Sequence, residues 1–303
     1  MSWKTAFRSF YYETAEEPDD IELVPAETAL LVIDIQNTYV APKDDPAEQA
    51  RWAPFFERMD KVVIPNTSAL QDWARGNGVE VIHARIACQK EDGRDRSLSQ
   101  KKPGFNYLLL PKDREDSQIV KAVGPEGDEI VVTKTTDSVL TGTNLRLILH
   151  NMGIRNVIVA GIFTDQCISS SVRSLADESF NVVVVEDCCA AATDDLHRHE
   201  LEIINMIYCH VVSSAEVRGF LTDAAGRAAA AHTGMPAPRR TVSRRRPGRA
   251  AARRDIPAIG PAPRPRAERR GPAAAVKHEG RSTPGLALEI GADRLRPHFI
   301  TYR

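Results

Sequence analysis

The chain has 303 residues, room for one large domain or two small ones, and 42% apolar residues suffice for a sizeable core. Its net charge of −1 hides two kinds of polypeptide. Residues 227–303 hold 18 Lys and Arg, 17 of them Arg, against 5 Asp and Glu, a net of +13, whereas residues 1–226 carry 22 basic and 36 acidic residues, a net of −14. No apolar run approaches the roughly 18–20 residues of a membrane span, and the N-terminus lacks the basic-then-apolar layout of a secretory signal. No membrane partner is therefore expected, and a cytoplasmic location is the default.

The first strand is predicted over 28–34 (TALLVID), and a helix over 60–76, closed by Gly76 and Gly78. A second strand over 79–86 (VEVIHARI) leads into a long, charged excursion from Cys88 to Gly127, punctuated by Pro and Gly, which no simple crossover helix explains and which has the character of a lid or substrate wall. A third strand over 129–134 (EIVVTK) precedes a helix over 143–152 closed by Gly153. The fourth strand, 156–163 (NVIVAGIF), feeds a helix over 166–179. A fifth strand over 181–187 (NVVVVED), a helix over 194–208 with Thr193 as its N-cap, and a sixth strand over 210–214 (HVVSS) complete the pattern.

Near-continuous apolar strands alternating with helices predict an α/β fold. It should be a three-layer αβα, Rossmann-like domain over 1–226 with a mostly parallel six-stranded sheet covered on both faces. The Arg/Pro/Ala-rich segment 227–303 lacks apolar periodicity and reads as a disordered C-terminal tail. Five cysteines, an odd number with no CxxC and no metal-type spacing, read as reduced thiols.

In open α/β sheets ligands bind outside the carboxyl ends of the strands, where the strand order reverses. The first strand delivers Asp34 to that edge, the third delivers Lys134, and the fourth runs through Gly161 into Cys167 at a helix start. Each has a bland reading alone: turn former, end of burial, small buried hydrophobe. Together an acid, an amine and a thiol suggest nucleophilic chemistry. The helix dipole and the ammonium would lower the thiol pKa from about 8.5 to roughly 7 or below.

The blocks LLVIDIQNTYV, VVTKTTDSVLTGTNLRLILHNMGIRNVIVAGIFTDQC and VVVVEDCCAAATDDLH, spread over about residues 26–218, resemble the isochorismatase-like cysteine hydrolases. That resemblance implies Asp34 as the acid, Lys134 as the lysine and Cys167 as the nucleophile of a catalytic triad. It also implies a cis peptide between Ile162 and Phe163, with the Phe163 and Cys167 amides forming an oxyanion hole. The family's metal-binding nicotinamidases carry Asp-x-His after the second strand; here Ile86 and Cys88 stand there, and His83, within the strand, reads as a packed residue. Neither a metal nor another cofactor is expected.

The resemblance thus implies a metal-independent cysteine hydrolase that cleaves a C–N bond of a small amide, ureido or carbamoyl compound through a thioester, releasing ammonia or an amine. It also implies a homo-oligomer, dimer or tetramer. Gln36, Tyr39 beside Trp52, Arg85, Asn106 and Tyr107 are candidate substrate-binding residues, with core packing or a structural ion pair as their bland alternative. Two other functions stay open: vinyl ether hydrolysis with Asp34 as proton donor, and nucleic-acid association through the basic tail. The tail lacks interleaved aromatics and any recognisable module, so nucleic acid is not the expected partner.

Overall fold

A computed structural model describes residues 2–102 and 108–222; Asn106, Tyr107 and the basic segment 227–303 lie outside them. Six strands, β1 (Thr28–Ile33), β2 (Glu80–Ile86), β3 (Ile130–Lys134), β4 (Asn156–Ile162), β5 (Asn181–Ala190) and β6 (His210–Val212), form one parallel sheet in the order β3-β2-β1-β4-β5-β6. The order reverses between β1 and β4, where a doubly wound sheet places its ligand site.

Residues alternate between the two faces. Leu31, Ile33, Ala84, Val132, Val159 and Val184 build one apolar core, and Leu30, Val32, Val81, Ile158, Ala160 and Val183 the other. Every residue of β1 and β4 is buried, which is why these strands read as unbroken apolar runs.

In chain order the helices are α1 (Asn37–Val40), α2 (Pro46–Arg58), α3 (Ile64–Gly76), α4 (Leu98–Lys101), α5 (Leu145–Asn151), α6 (Ser169–Asp177), α7 (Asp194–Ile204) and α8 (Ser214–Val217). A π-helical turn, Met59–Val63, joins α2 to α3. The sequence reading starts this helix at residue 60 and misses α2, which contains Pro54. Asp45 caps α2 by accepting the Ala47 N–H at 2.8 Å, and Pro46 occupies the first turn, where its missing N–H costs nothing. Pro65 follows the π turn directly, and the wider turn accommodates a ring that would otherwise crowd the preceding carbonyls.

Thr193 caps α7 as expected, its hydroxyl accepting the Leu196 N–H at 3.2 Å. β5 runs on to Ala190, through Cys188 and Cys189, three residues past the end expected from the sequence. A register shift against β4 lets Gly161 pair with Cys189 and Ile162 with Ala190. Cys188 and Cys189 are buried on opposite faces, and all five cysteines are free.

Between β2 and β3 the chain forms no helix longer than four residues among the described residues. Buried Arg96 donates to the carbonyls of Gly93, Gln100 and Leu108 and gathers this excursion around itself. No helix of the described residues is long and apolar enough to cross a membrane.

Candidate active site

β1 ends in Asp34, which is 2% exposed and has φ of +58°. Asp is among the few side chains that tolerate this left-handed conformation, and such backbone strain concentrates at functional sites. Its own N–H donates to the Ala84 carbonyl of β2, while its carbonyl accepts the Gln36 N–H. The turn is therefore held from both sides.

Lys134, the last residue of β3, is 1% exposed. It pairs with Ile86 of β2, so it leaves its strand on the face of Ala84 and Val132, the same face as Cys167. Its Nζ lies 2.7 Å from Asp34 Oδ2 and donates to Cys167 Sγ at 3.3 Å and to the Thr136 carbonyl at 3.1 Å. Acid, amine and thiol, from three different strand ends, thus meet around one ammonium.

Cys167 sits in a π-helical turn, Thr164–Ile168, that continues into α6. Its approach depends on Gly161, whose φ is +125°. A Cβ there would overlap the Ile33 carbonyl and lie 2.7 Å from the Ile33 nitrogen, so only glycine lets β4 pass β1 this closely. The Ile162–Phe163 peptide is cis. Phe163 packs against Tyr39, Trp52 and Phe55, with ring centroids at 5.3, 6.2 and 5.2 Å, forming an aromatic wall beside the thiol.

The electrostatics reverse one expectation. Burial pushes the Cys167 thiol well above its ordinary pKa and the Asp34 charge adds to this, while Lys134 opposes both. Burial is the largest influence, because Cys167 is only 6% exposed and a thiolate there loses its hydration. Burial likewise raises Asp34 against the pull of Lys134, and it raises the Tyr39 phenol well above its usual value, with Asp34 next in effect. The site therefore rests with a protonated thiol and titrates as a coupled unit.

Two candidate substrate contacts are bonded to the protein itself. Gln36 is wholly buried: its Nε2 donates to the carbonyls of Ile86 (3.0 Å) and Ser117 (2.7 Å), and its Oε1 accepts the Ile86 N–H at 2.9 Å. It clamps the end of β1 to β2 and to the excursion, with its amide fully committed to backbone. Arg85 projects from the opposite face to Lys134, because neighbouring strand positions alternate. Its guanidinium donates to Thr133 Oγ1, the Lys112 carbonyl and Gln118 Oε1. Tyr39, by contrast, packs on Phe163 and feels the charges of Asp34 and Cys167.

His83 is buried and bonded through Nε2 to Glu129 at 3.0 Å, and Ile86 packs with Leu108 and Leu110. Among the described residues no group of three His, Cys, Asp or Glu side chains is arranged to hold a metal ion. An open concavity of about 520 Å³, lined by Asp20, Asn156, Asn181 and His210 among others, lies at the opposite edge, where β4, β5 and β6 begin, far from the thiol.

Two features escape the sequence reading. Asp137 brings Oδ1 to 3.9 Å from Cys167 Sγ; its only sequence signal is its place three residues after Lys134, in a run of turn formers. Behind the nucleophile, Thr164 Oγ1 and His197 Nδ1 are 2.7 Å apart, and His197 Nε2 is 2.9 Å from an Arg58 nitrogen. A guanidinium only donates, so Nε2 accepts, and Nδ1 carries the proton that it gives to Thr164. Arg58 also donates to the carbonyls of Cys189 and Glu186.

This is a parallel, doubly wound α/β protein with a buried acid, amine and thiol at its switch point. The family model of the isochorismatase domain matches residues 28–216, and the chain belongs to that family. A ureidoacrylate amidohydrolase of Agrobacterium fabrum is 32% identical over 183 residues, which cover 56% of this chain and 78% of the relative. A maleamate amidohydrolase of Pseudomonas putida is 27% identical over 198 residues, 65% of this chain and 88% of the relative. An isochorismatase family protein of Burkholderia thailandensis superposes with a TM-score of 0.55 at 26% identity, covering 67% and 98% of the two chains. A cysteine hydrolase of Pseudomonas syringae gives 0.57 at 21% identity, covering 68% and 98%.

Proposed function

We propose that this chain is a metal-independent cysteine hydrolase that cleaves a C–N bond of a small amide, ureido or carbamoyl compound through a thioester. The observation that carries this reading is the buried ammonium of Lys134, 2.7 Å from the Asp34 carboxylate and 3.3 Å from the Cys167 sulfur. The relatives named as ureidoacrylate and maleamate amidohydrolases support the same class of bond.

The thiol rests protonated, so its proton must leave as the sulfur attacks. Asp34, whose pKa burial raises toward the working range, takes that proton. The sulfur bonds to the carbonyl carbon, and the carbonyl electron pair moves to oxygen. The Phe163 and Cys167 amides receive this oxyanion; losing one such donor typically costs on the order of 100- to 1000-fold in rate. Asp34 then passes its proton to the nitrogen, the C–N bond breaks, and ammonia or an amine departs.

Water attacks the thioester with Asp34 again as base, the C–S bond breaks, and the proton returns to sulfur. Lys134 stays charged throughout, because burial acting against it is outweighed by Asp34 and Cys167, which hold its pKa up. The aromatic wall of Tyr39, Phe163 and Trp52 keeps the exchange out of bulk water.

The test is ammonia release from ureido acids, carbamoyl amino acids, biuret and simple carboxamides by the native protein and by Cys167→Ala. Turnover of one class by the native protein, with loss of at least about 1000-fold in the variant and an unchanged circular dichroism spectrum, is expected. A variant that keeps full activity would refute the thiol mechanism, whereas no ammonia from any of these compounds would leave proton donation by Asp34 to a vinyl ether as the chemistry to pursue.

A further inference from the structure

The triad accounts for Asp34, Lys134 and Cys167 but leaves Asp137 without a role. Its carboxylate is half-buried, with Oδ1 3.9 Å from Cys167 Sγ, and the loop that carries it is pinned on both sides. On one side the Thr136 carbonyl accepts from Lys134 Nζ, and the Thr136 hydroxyl donates to the carbonyls of Ser138 and Thr141. On the other, Ser138 Oγ donates to Ser174 Oγ at 2.9 Å, and the Val139 N–H donates to Ser171 Oγ at 3.1 Å, both on α6. Ser171 in turn donates to the Cys167 carbonyl at 2.6 Å. The position of Asp137 relative to the sulfur is therefore built in.

Its charge is felt by Asp34, Tyr39 and Cys167 alike. Among the described residues one ammonium, Lys134, faces two carboxylates, Asp34 and Asp137, around the thiol. Arg85 does not offset them, since it projects from the other face and is bonded to the excursion.

Resting on the hydrolase reading above, we propose that Asp137 is a specificity-determining residue: it accepts an N–H of the scissile amide, ureido or carbamoyl group and selects neutral or cationic substrates over those with a carboxylate next to that group. A carbonyl carbon in position for attack lies about 3–3.5 Å from the sulfur, and one orientation of the group turns its nitrogen toward Oδ1, itself 3.9 Å from that sulfur. A substrate carboxylate in the same place would meet two like charges with one counter-charge already shared. The substrate differs in this respect from the acids after which the two amidohydrolase relatives are named.

The test compares the rates at which iodoacetamide and iodoacetate alkylate Cys167, two reagents of one shape that differ in the charge beside the reacting carbon. Modification at Cys167 is followed by mass spectrometry in the full chain, with Cys167→Ala as the blank, and the same ratio is measured for 2-mercaptoethanol. The native protein is expected to favour iodoacetamide by about tenfold or more beyond the small thiol. Asp137→Asn and Asp137→Ser should both bring the ratio back toward it.

A native ratio at or below that of 2-mercaptoethanol, or one unchanged in both variants, overturns the proposal; if neither variant folds, Asp137→Thr is measured in their place and read in the same way. Alkylation needs the thiol and not turnover, so a failure of the hydrolase reading shows separately, as absence of ammonia release.

Discussion

Replacing Lys134 with Met removes the ammonium and keeps most of the side chain's length. The partner it deserts, Asp34, is 2% exposed and only 2.7 Å away, so the variant strands a carboxyl that water does not reach. Breaking a buried pair by deleting one member costs about 3–5 kcal/mol. At a urea slope of about 3 kcal/mol/M that is a midpoint shift of roughly 1–2 M near neutral pH.

The deficit should also depend on pH. Unfolded, Asp34 ionises near its ordinary value of about 3.9. Folded, burial already holds it higher, and loss of Lys134 removes the influence that pulled it down. Between the two values the unfolded chain has released a proton that the folded chain keeps, so the contribution of Asp34 to the variant's stability falls as pH rises through that window and is fully present only below about pH 4. Asp34→Asn in the same chain should return part of the loss, because no buried charge is then left. Urea titrations by fluorescence at pH 4.5 and 7.5, for the native protein, Lys134→Met and the double variant, read all three effects. Equal midpoints for native and Lys134→Met at pH 7.5, or no gain in the double variant, would refute the buried ion pair as the organiser of this site.

Gly161→Ala should destabilise the fold by roughly 3 kcal/mol or more, from backbone strain and overlap with Ile33 together, seen as a lowered thermal midpoint or failure to express in soluble form. His197→Gln tests the network behind the nucleophile. Burial lowers the His197 pKa, so below about pH 6.5 the unfolded chain takes up a proton that the folded chain refuses, and the native protein loses stability on acidification. The charged groups that face it are Arg58, Glu186 and Asp194. The variant should flatten that acid limb in denaturation curves and lower kcat more than it raises KM, because Thr164 opens the turn that presents Cys167. An unchanged acid limb would remove His197 from the argument.

Much of this molecule is legible in its residues. Strands buried on both faces are apolar at nearly every position, so β1 and β4 stand out without any partner in view. The alternation of strand and helix implies a parallel sheet, and a parallel sheet implies one edge where strand ends gather chemistry, which marks Asp34, Lys134 and Cys167. Local signals falter where long-range contact decides. Pro54 looks like a breaker, yet α2 and α3 continue across a π turn packed against the sheet.

Gln36 and Arg85 look like ligands for a substrate, and register makes them clamps for the excursion: Gln36 bonds to residues 50 and 81 positions away, and Arg85 sits on the face opposite Lys134. The residue types at each strand end, and hence the chemical class, belong to the sequence by itself. Which of them share a face, that Asp137 reaches the sulfur, and that burial raises the pKa of the thiol were decided by tertiary structure. Distance, desolvation and face are properties of pairings between segments far apart in the chain.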